Sequence, residues 1–436
     1  MQKEIRKQVF RLAIPAALSS LLQRTVSIFD IFLVGGLGAS SIAAVGIGQL
    51  SIFVAMTIFM GLSAGTTVVI AHLVGAEKGQ EAGKTAYQSI LVVSGVAVLI
   101  SLIGIAFSSE LPLFMGADAE VTLIADTYLK IIFYAFIFTT FVNILTGIMH
   151  GHGDTKTPLK AIIFVNILHF VIAYPLIYGK FGCPQIGVPG AAIAIGASEA
   201  VGAAWLFWAA LRKGYLKKGP IDTILTRRVL RVGMPVAFDR VIQQLGQMAF
   251  AMIVMGYGTA AYAAHQIGLS IEAFSFMPGL GLSIAAATMV GHSLGAEKAD
   301  RAKISTIEAT RLAVIIMTTM GLCFFFLPYL FMRAFTTDPQ VIAHGTAFLK
   351  IVAVLQIPLA ISMVLAGTLR GGGDSRYSML TTIAGMWFFR IPAALILIKF
   401  FHVGLYTTWS LMIFDWLIRV TMLVYRYRSG EWQKKV

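Results

Sequence analysis

Charged side chains are scarce in this chain. Asp, Glu, Lys and Arg make up 12% of its 436 residues, about half the ~25% typical of soluble proteins. Cysteine is scarcer still: Cys183 and Cys323 are the only two, too few for a disulfide framework, and both read as free thiols. Segments of alternating polar and apolar residues are missing, which excludes a membrane β-barrel. No nucleophile elbow, zinc-binding helix motif or aspartate-rich metal motif is present, and no repeated filter sequence of a channel. No cleavable leader is expected, because the first apolar helix is too long and lacks a small-residue cleavage site.

What remains is apolar. Hydrophobic residues reach 58% and mean hydropathy is +0.82. Runs of twenty or more apolar residues follow one another with short polar breaks. Hydrocarbon offers the backbone no hydrogen-bond partner, so such runs cross a bilayer as helices. The expected fold is an all-α polytopic membrane protein of twelve spans. The first six are read at 9–35, 45–73, 86–110, 121–149, 158–179 and 187–211. The second six are read at 229–255, 262–292, 304–330, 341–369, 377–399 and 404–425.

The net charge of +14 lies in alternate loops rather than in a stripe with interleaved aromatics, which argues against a nucleic-acid partner. Lys3, Arg6, Lys7 and Arg11 precede the first span; Arg212, Lys213, Lys217, Lys218, Arg227, Arg228 and Arg231 fill the middle; Arg426, Arg428, Lys434 and Lys435 close the chain. The opposite loops hold little beyond Lys180, Arg333 and Lys399, and one is acidic around Glu110, Asp118 and Glu120. Both termini are therefore expected in the cytoplasm, in a multi-pass protein of the inner membrane.

The two halves repeat at a constant offset of 220 residues. Arg11-Leu-Ala-Ile-Pro15 matches Arg231-Val-Gly-Met-Pro235, His72-Leu-Val-Gly75 matches His292-Ser-Leu-Gly295, and Gly151-His-Gly153-Asp154 matches Gly371-Gly-Gly373-Asp374. With six spans each, both copies enter the membrane in the same sense. Parallel repeats of this kind occur among secondary transporters, with substrate near mid-membrane. The expected organisation is an amino-terminal six-helix lobe (1–213), a cytoplasmic linker (214–228) and a carboxyl-terminal six-helix lobe (229–436).

Pro15, Asp30 and Gly35-Gly-Leu-Gly38, with His72 and Gly75-Ala-Glu77, are the first set of marks. Gly147 through Gly151-His-Gly153-Asp154, Gly190-Ala-Ala192 and Ala263-Ala-His265-Gln266-Ile267 complete it. Together they resemble the multidrug and toxic compound extrusion (MATE) family over nearly the whole chain, in its bacterial and archaeal form and nearer the DinF-like branch. The resemblance implies the same two six-helix lobes and a cation-coupled exporter.

Asp30 is a carboxyl group inside an apolar run, where a charge costs roughly 2.5–3.5 kcal/mol on insertion scales. A group held at that cost is a proton or cation carrier by default, the alternative being a hydrogen bond to a neighbouring helix. The resemblance gives the matching aspartate a cation- or proton-binding role, and it pairs Asn166 with an aspartate one turn on and a threonine in the sixth span. This chain departs from that pattern: those positions are Phe170 and Ile195. His169 and Glu199 stand three and four residues from the expected positions, on or beside the same helix faces. A rearranged coupling cluster of Asp30, Asn166, His169 and Glu199 is expected, and it favours a proton over sodium. Sodium at Asp30 and Asn166 is the open alternative; no other metal and no cofactor is expected.

In the second lobe the family glutamate position is Gln243, which cannot titrate. Gln243, Gln244, Gln247, Met252 and Arg390 are the substrate-cavity candidates, with helix packing as the alternative for each. Asp239 and Arg240 are read in the first turn of the seventh span, as dipole partner and interface anchor. Glu272 and Arg390 are intramembrane charges with no partner evident. His150-Gly-His152 could suggest a metal, but the second copy lacks both histidines, so a scaffold turn explains it better.

The leading expectation is an antiporter, working as a monomer, that exports lipophilic and cationic drugs or metabolites by alternating access. A flippase for lipid-linked oligosaccharides is the alternative; it would need a strongly cationic cavity, for which only Arg390, Lys130 and Lys350 are candidates. A membrane-embedded enzyme ranks last.

Overall fold

A computed structural model describes residues 2–220 and 222–434. Lys435, counted above among the basic groups closing the chain, lies outside them, as do Met1, Ile221 and Val436. Among the described residues there are twelve long helices. They are α1 (Gln2–Gly35), α2 (Ala39–Gly75), α3 (Gly79–Ala106), α4 (Ala119–Gly151), α5 (Lys156–Tyr178) and α6 (Val188–Arg212). The second set is α7 (Thr223–Met255), α8 (Thr259–Gly295), α9 (Ala299–Phe326), α10 (Pro339–Gly371), α11 (Ser375–Phe401) and α12 (Leu405–Ser429).

Ten of these, among the described residues, are long and apolar enough to cross a membrane; α1 and α7 fall outside that set. Both of those carry basic residues near their starts, Arg6 and Lys7 in one and Arg227 and Arg228 in the other. Each expected span thus has its helix. The third and ninth stop earlier than expected, at Ala106 and Phe326, and short helices follow at Glu110–Phe114 and Pro328–Arg333. Pro328 opens the second of these, at a position where its missing N–H costs nothing.

The repeat is visible in the backbone. Gly38 and Gly258 have φ of 112° and 110°, and Glu77 and Glu297 have φ of 61° and 59°. The two glutamates are left-handed without a glycine's freedom, and each closes the turn that follows its helix, with backbone bonds to Val74 and Leu294. Inside the helices, Ser63 Oγ donates to Asn143 O at 2.9 Å, and Ser283 Oγ donates to Met363 O at 2.6 Å.

The compact units do not follow the repeat boundaries. One unit is Ser19–Ala237; the other is Met1–Leu18 together with Phe238–Val436. The expected division at 213 and 229 therefore differs from the packing. Residues 214–237 belong with the first repeat, and the opening turns of α1 belong with the second. Small residues explain this. A Cβ on Gly61 of α2 would meet Gly233 O of α7 at 2.6 Å, and a Cβ on Gly281 of α8 would meet Ala13 O of α1 at 2.7 Å. Absent side chains let helix backbones approach closely, the main route to helix association in lipid. Arg6 adds an ion pair to Glu308 of α9 at 2.8 Å.

Because α7 begins at Thr223, Asp239 and Arg240 lie in its middle and not in its first turn. A dipole role is excluded for them, since that effect fades within one turn. Both instead act electrostatically on Arg370 of α10.

Candidate functional site

Four of the expected residues lie within the Ser19–Ala237 unit. Asp30 of α1 is 2% exposed and His169 of α5 is 1% exposed. His169 Nε2 lies 2.7 Å from Asp30 Oδ1. One turn earlier on α5, Asn166 Nδ2 donates to Leu22 O of α1 at 2.9 Å. Three turns after Asn166, the Tyr178 hydroxyl donates to Leu33 O at 2.6 Å. The i, i+3 spacing of Asn166 and His169 puts both on the face that α5 turns toward α1. Phe170 packs its ring on Phe29, with centroids 4.0 Å apart, so apolar contact fills the place where the family pattern has a carboxylate.

Glu199 of α6 completes the group. Its Oε2 is cut off from solvent with no hydrogen-bond partner, and so is Nδ1 of His169. The two side chains interact electrostatically. His169 is thus bonded to one carboxyl group through Nε2 and lies in the field of a second. Tyr128 of α4, which sequence reasoning passed over, is buried and in the field of Asp30. Its ring packs where Gly48 of α2 leaves room; an aromatic at a span centre carries no mark that separates it from ordinary packing.

Three of the four side chains, Asp30, His169 and Glu199, are of titratable types. Asp30 Oδ1 is engaged by His169, and Asn166 spends an amide N–H on Leu22 O.

The second repeat carries another buried cluster. Arg390 is 1% exposed, Asp415 0% and Arg419 3%. Asp415 Oδ2 accepts from Arg390 Nη2, and Oδ1 accepts from Arg419 Nε at 2.6 Å. Residues Ile383–Arg390 of α11 are π-helical. Within that stretch a Cβ on Gly385 would collide with Asp415 Oδ1 and would stand 2.8 Å from Arg419 Nε, so glycine is what lets α12 come near. No partner of Arg390 is evident in the sequence; the structure supplies Asp415, and this substrate-cavity candidate is enclosed. Asp415 and Arg419 were missed, although two opposite charges at i, i+4 in the last span are a legible sign. By the 220-residue offset they stand where Ile195 and Glu199 stand in the first repeat.

Gln243, Gln244 and Gln247 are half-buried on α7, and their amides make no side-chain hydrogen bond among the described residues. Met252 is 66% exposed. They lie in the unit that contains Phe238–Val436, and the Asp30 group lies in the unit Ser19–Ala237.

At the turn after α4, Asp154 accepts from Thr157 Oγ1 at 2.7 Å and from Lys213 Nζ. Burial would raise its carboxyl, but the bonds from Lys213 and Thr157 outweigh that and hold it below the usual range. His152 stacks on Tyr215 at 3.9 Å. Among the described residues no group of three or more His, Cys, Asp or Glu is placed to hold a metal ion.

The MatE family matches this chain twice, at residues 15–175 and at 235–396, once per repeat. The chain belongs to the MATE family of membrane transporters. MATE proteins are transporters, so this one is a multi-pass membrane transporter and not an enzyme. It is 31% identical over 436 residues to the probable multidrug resistance protein NorM of Thermotoga maritima, covering 99% of this chain and 94% of that one. It is 24% identical to the probable multidrug resistance protein YoeA of Bacillus subtilis, over 100% and 96% of the two chains. Among solved structures, the Vibrio cholerae MATE transporter VcmN in its bent form superposes with a TM-score of 0.92 at 20% identity, over 98% of this chain and 97% of that one. A MOP superfamily transporter from Pyrococcus furiosus gives 0.91 at 22%, over 99% and 97%. At such identities the structures establish the MATE fold.

Proposed function

We propose that this MATE transporter exports lipophilic and cationic small molecules, drugs among them, across the cytoplasmic membrane in exchange for protons. The observation that carries the reading is the buried contact of His169 Nε2 with Asp30 Oδ1 at 2.7 Å, with Glu199 in the field of the same imidazole. One proton shared by Asp30 and His169 leaves the group with a single negative charge when Glu199 is ionised. A second proton cancels it, and so does a cationic substrate. Proton and substrate therefore compete for one charge, which is the requirement for exchange. His169 bonds Asp30 through one ring nitrogen and keeps the other unpaired, so the imidazole can exchange a proton with Asp30 and still hold a second site for one.

Asn166 fixes α5 against α1 and keeps His169 in register. Gln243, Gln244, Gln247 and Met252 are the substrate contacts of the second repeat; flexible thioethers and amides suit varied ligands. The protein works as a monomer with both termini in the cytoplasm, as the basic loops direct, and access alternates between the two sides of the membrane.

Proteoliposomes given a pH gradient or a sodium gradient, one at a time, test this. Export of a lipophilic cation should follow the pH gradient alone. Export that follows sodium and ignores pH would overturn proton coupling.

A further inference from the structure

Glu272 of α8 takes no part in the Asp30 group. It is 9% exposed, lies in the unit that contains Phe238–Val436, and its side chain makes no hydrogen bond among the described residues. The charge that acts on it is Arg390 of α11. Arg390 is 1% exposed, and its Nε is buried without a partner. Its bond goes to Asp415, whose carboxylate is shared with Arg419. One carboxylate thus serves two guanidinium groups, and one positive charge is left over. Ionised Glu272 cancels that excess; protonated Glu272 leaves it.

Both states are tolerable in apolar surroundings. With Glu272 ionised, the cluster is neutral. With Glu272 protonated, the excess charge rests on two guanidiniums that each face an aromatic ring. Arg390 lies 5.4 Å from the centroid of Phe250, and Arg419 lies 4.6 Å from that of Trp416. Such contacts offset part of the cost of a desolvated cation. Neither state strands an uncompensated carboxylate, the costly outcome in a buried ion pair.

The other groups nearby are poorer carriers. Asp415 is held between two arginines. His265 of α8 packs edge-on to Phe250 and Phe348 and stacks on Trp409; a proton there would add a third cation beside Arg390. From α10 the neutral Gln356 faces α8, accepting from Ser275 at 2.6 Å. The charged residues of α9 lie in its first turns, where Glu308 pairs with Arg6, and Arg333 of the helix Pro328–Arg333 is exposed.

We infer that Glu272 is a second proton-exchanging group, separate from the Asp30 group, with Arg390 as its counter-ion. The step is a bare protonation: a carboxylate takes one proton and becomes a carboxylic acid, and no other bond changes. It gives the second repeat, which has Phe250 in place of Asp30, a charge that responds to pH. The inference leans on the proposed transport reading only for the use made of the proton.

Infrared difference spectra of the purified protein in nanodiscs, taken between about pH 5 and 8, read carboxyl C=O bands directly, and a pH-jump assay counts protons bound. Glu272→Gln should remove one band and one proton per molecule, while Asp30→Asn should leave that band in place. A spectrum and count unchanged by Glu272→Gln would overturn the inference. Should that variant not fold, Glu272→Asp should move the band in frequency, and an unmoved band would overturn it equally. Sodium-driven export would sink the proposed function and leave the band assignment standing. Proton-driven export without the band would sink this inference alone.

Discussion

His169 Nε2 lies 2.7 Å from Asp30 Oδ1, with both side chains shut off from solvent. The pair joins α1 to α5 out of reach of solvent, and it does so with groups of titratable type. The second repeat has the same contact in other chemistry. Arg390 faces Phe250, the residue 220 positions after Asp30. By simple offset Phe389 and not Arg390 would stand there. The π-helical stretch Ile383–Arg390 takes up about one extra residue per turn, and this turns Arg390 toward Phe250.

Asp30→Asn keeps an oxygen for His169 and removes the exchangeable proton. Stability should fall by no more than about 1–2 kcal/mol, while efflux driven by a pH gradient in proteoliposomes should drop to the leak of empty vesicles. Undiminished efflux would remove Asp30 from the mechanism.

His169→Phe leaves the Asp30 carboxyl buried without its partner, at a cost of about 3–5 kcal/mol. Adding Asp30→Leu should restore most of that stability without restoring transport, because an apolar pair of similar volume replaces a buried polar one at little cost. Thermal unfolding of the single and double variants in detergent measures the difference; equal losses in both would contradict it.

Asp415→Ala strands Arg390 and Arg419 and should cost about 3–5 kcal/mol. Gly385→Ala drives a methyl group into the same carboxylate and should cost about 1–3 kcal/mol. The two costs should not add, since both break one contact. Urea or thermal unfolding of both single variants and the double variant tests this.

Asp154 has its carboxyl held below the usual range by Lys213 and Thr157, against burial. A depressed acid stabilises the folded state above its unfolded pKa, ~3.9, and the contribution is lost as pH falls through the folded value. The melting-point difference between wild type and Asp154→Asn should therefore be flat from about pH 8 to 5 and narrow only below about pH 4. A difference that changes near neutrality would show that another group is titrating.

Much of the Asp30 group was legible because α1, α5 and α6 are regular helices. In a regular helix, spacings of three and four residues keep Asn166 with His169, and Ile195 with Glu199, on one face. The Arg390 cluster was less legible, for two physical reasons. A π-helical stretch breaks the periodicity on which such readings rest. Asp415 and Arg419 also match Ile195 and Glu199 only once the repeat is carried through to the last helix. The unit boundaries were hidden too, because Gly61 and Gly281 show as glycines in the sequence but not as the points where α7 and α1 press against them.

Read alone, the sequence determined that this chain crosses a membrane as helices in two copies of one six-span design. Hydrocarbon leaves the backbone no other partner, and an offset of 220 residues recurs in every landmark. It also placed Asp30, His169, Glu199, Glu272 and Arg390 inside the spans. The tertiary structure decided which of them meet: His169 with Asp30, and Arg390 and Arg419 with Asp415. Meetings between helices depend on how far each is rotated and how closely its small residues let it approach, and no periodicity within a single helix records either.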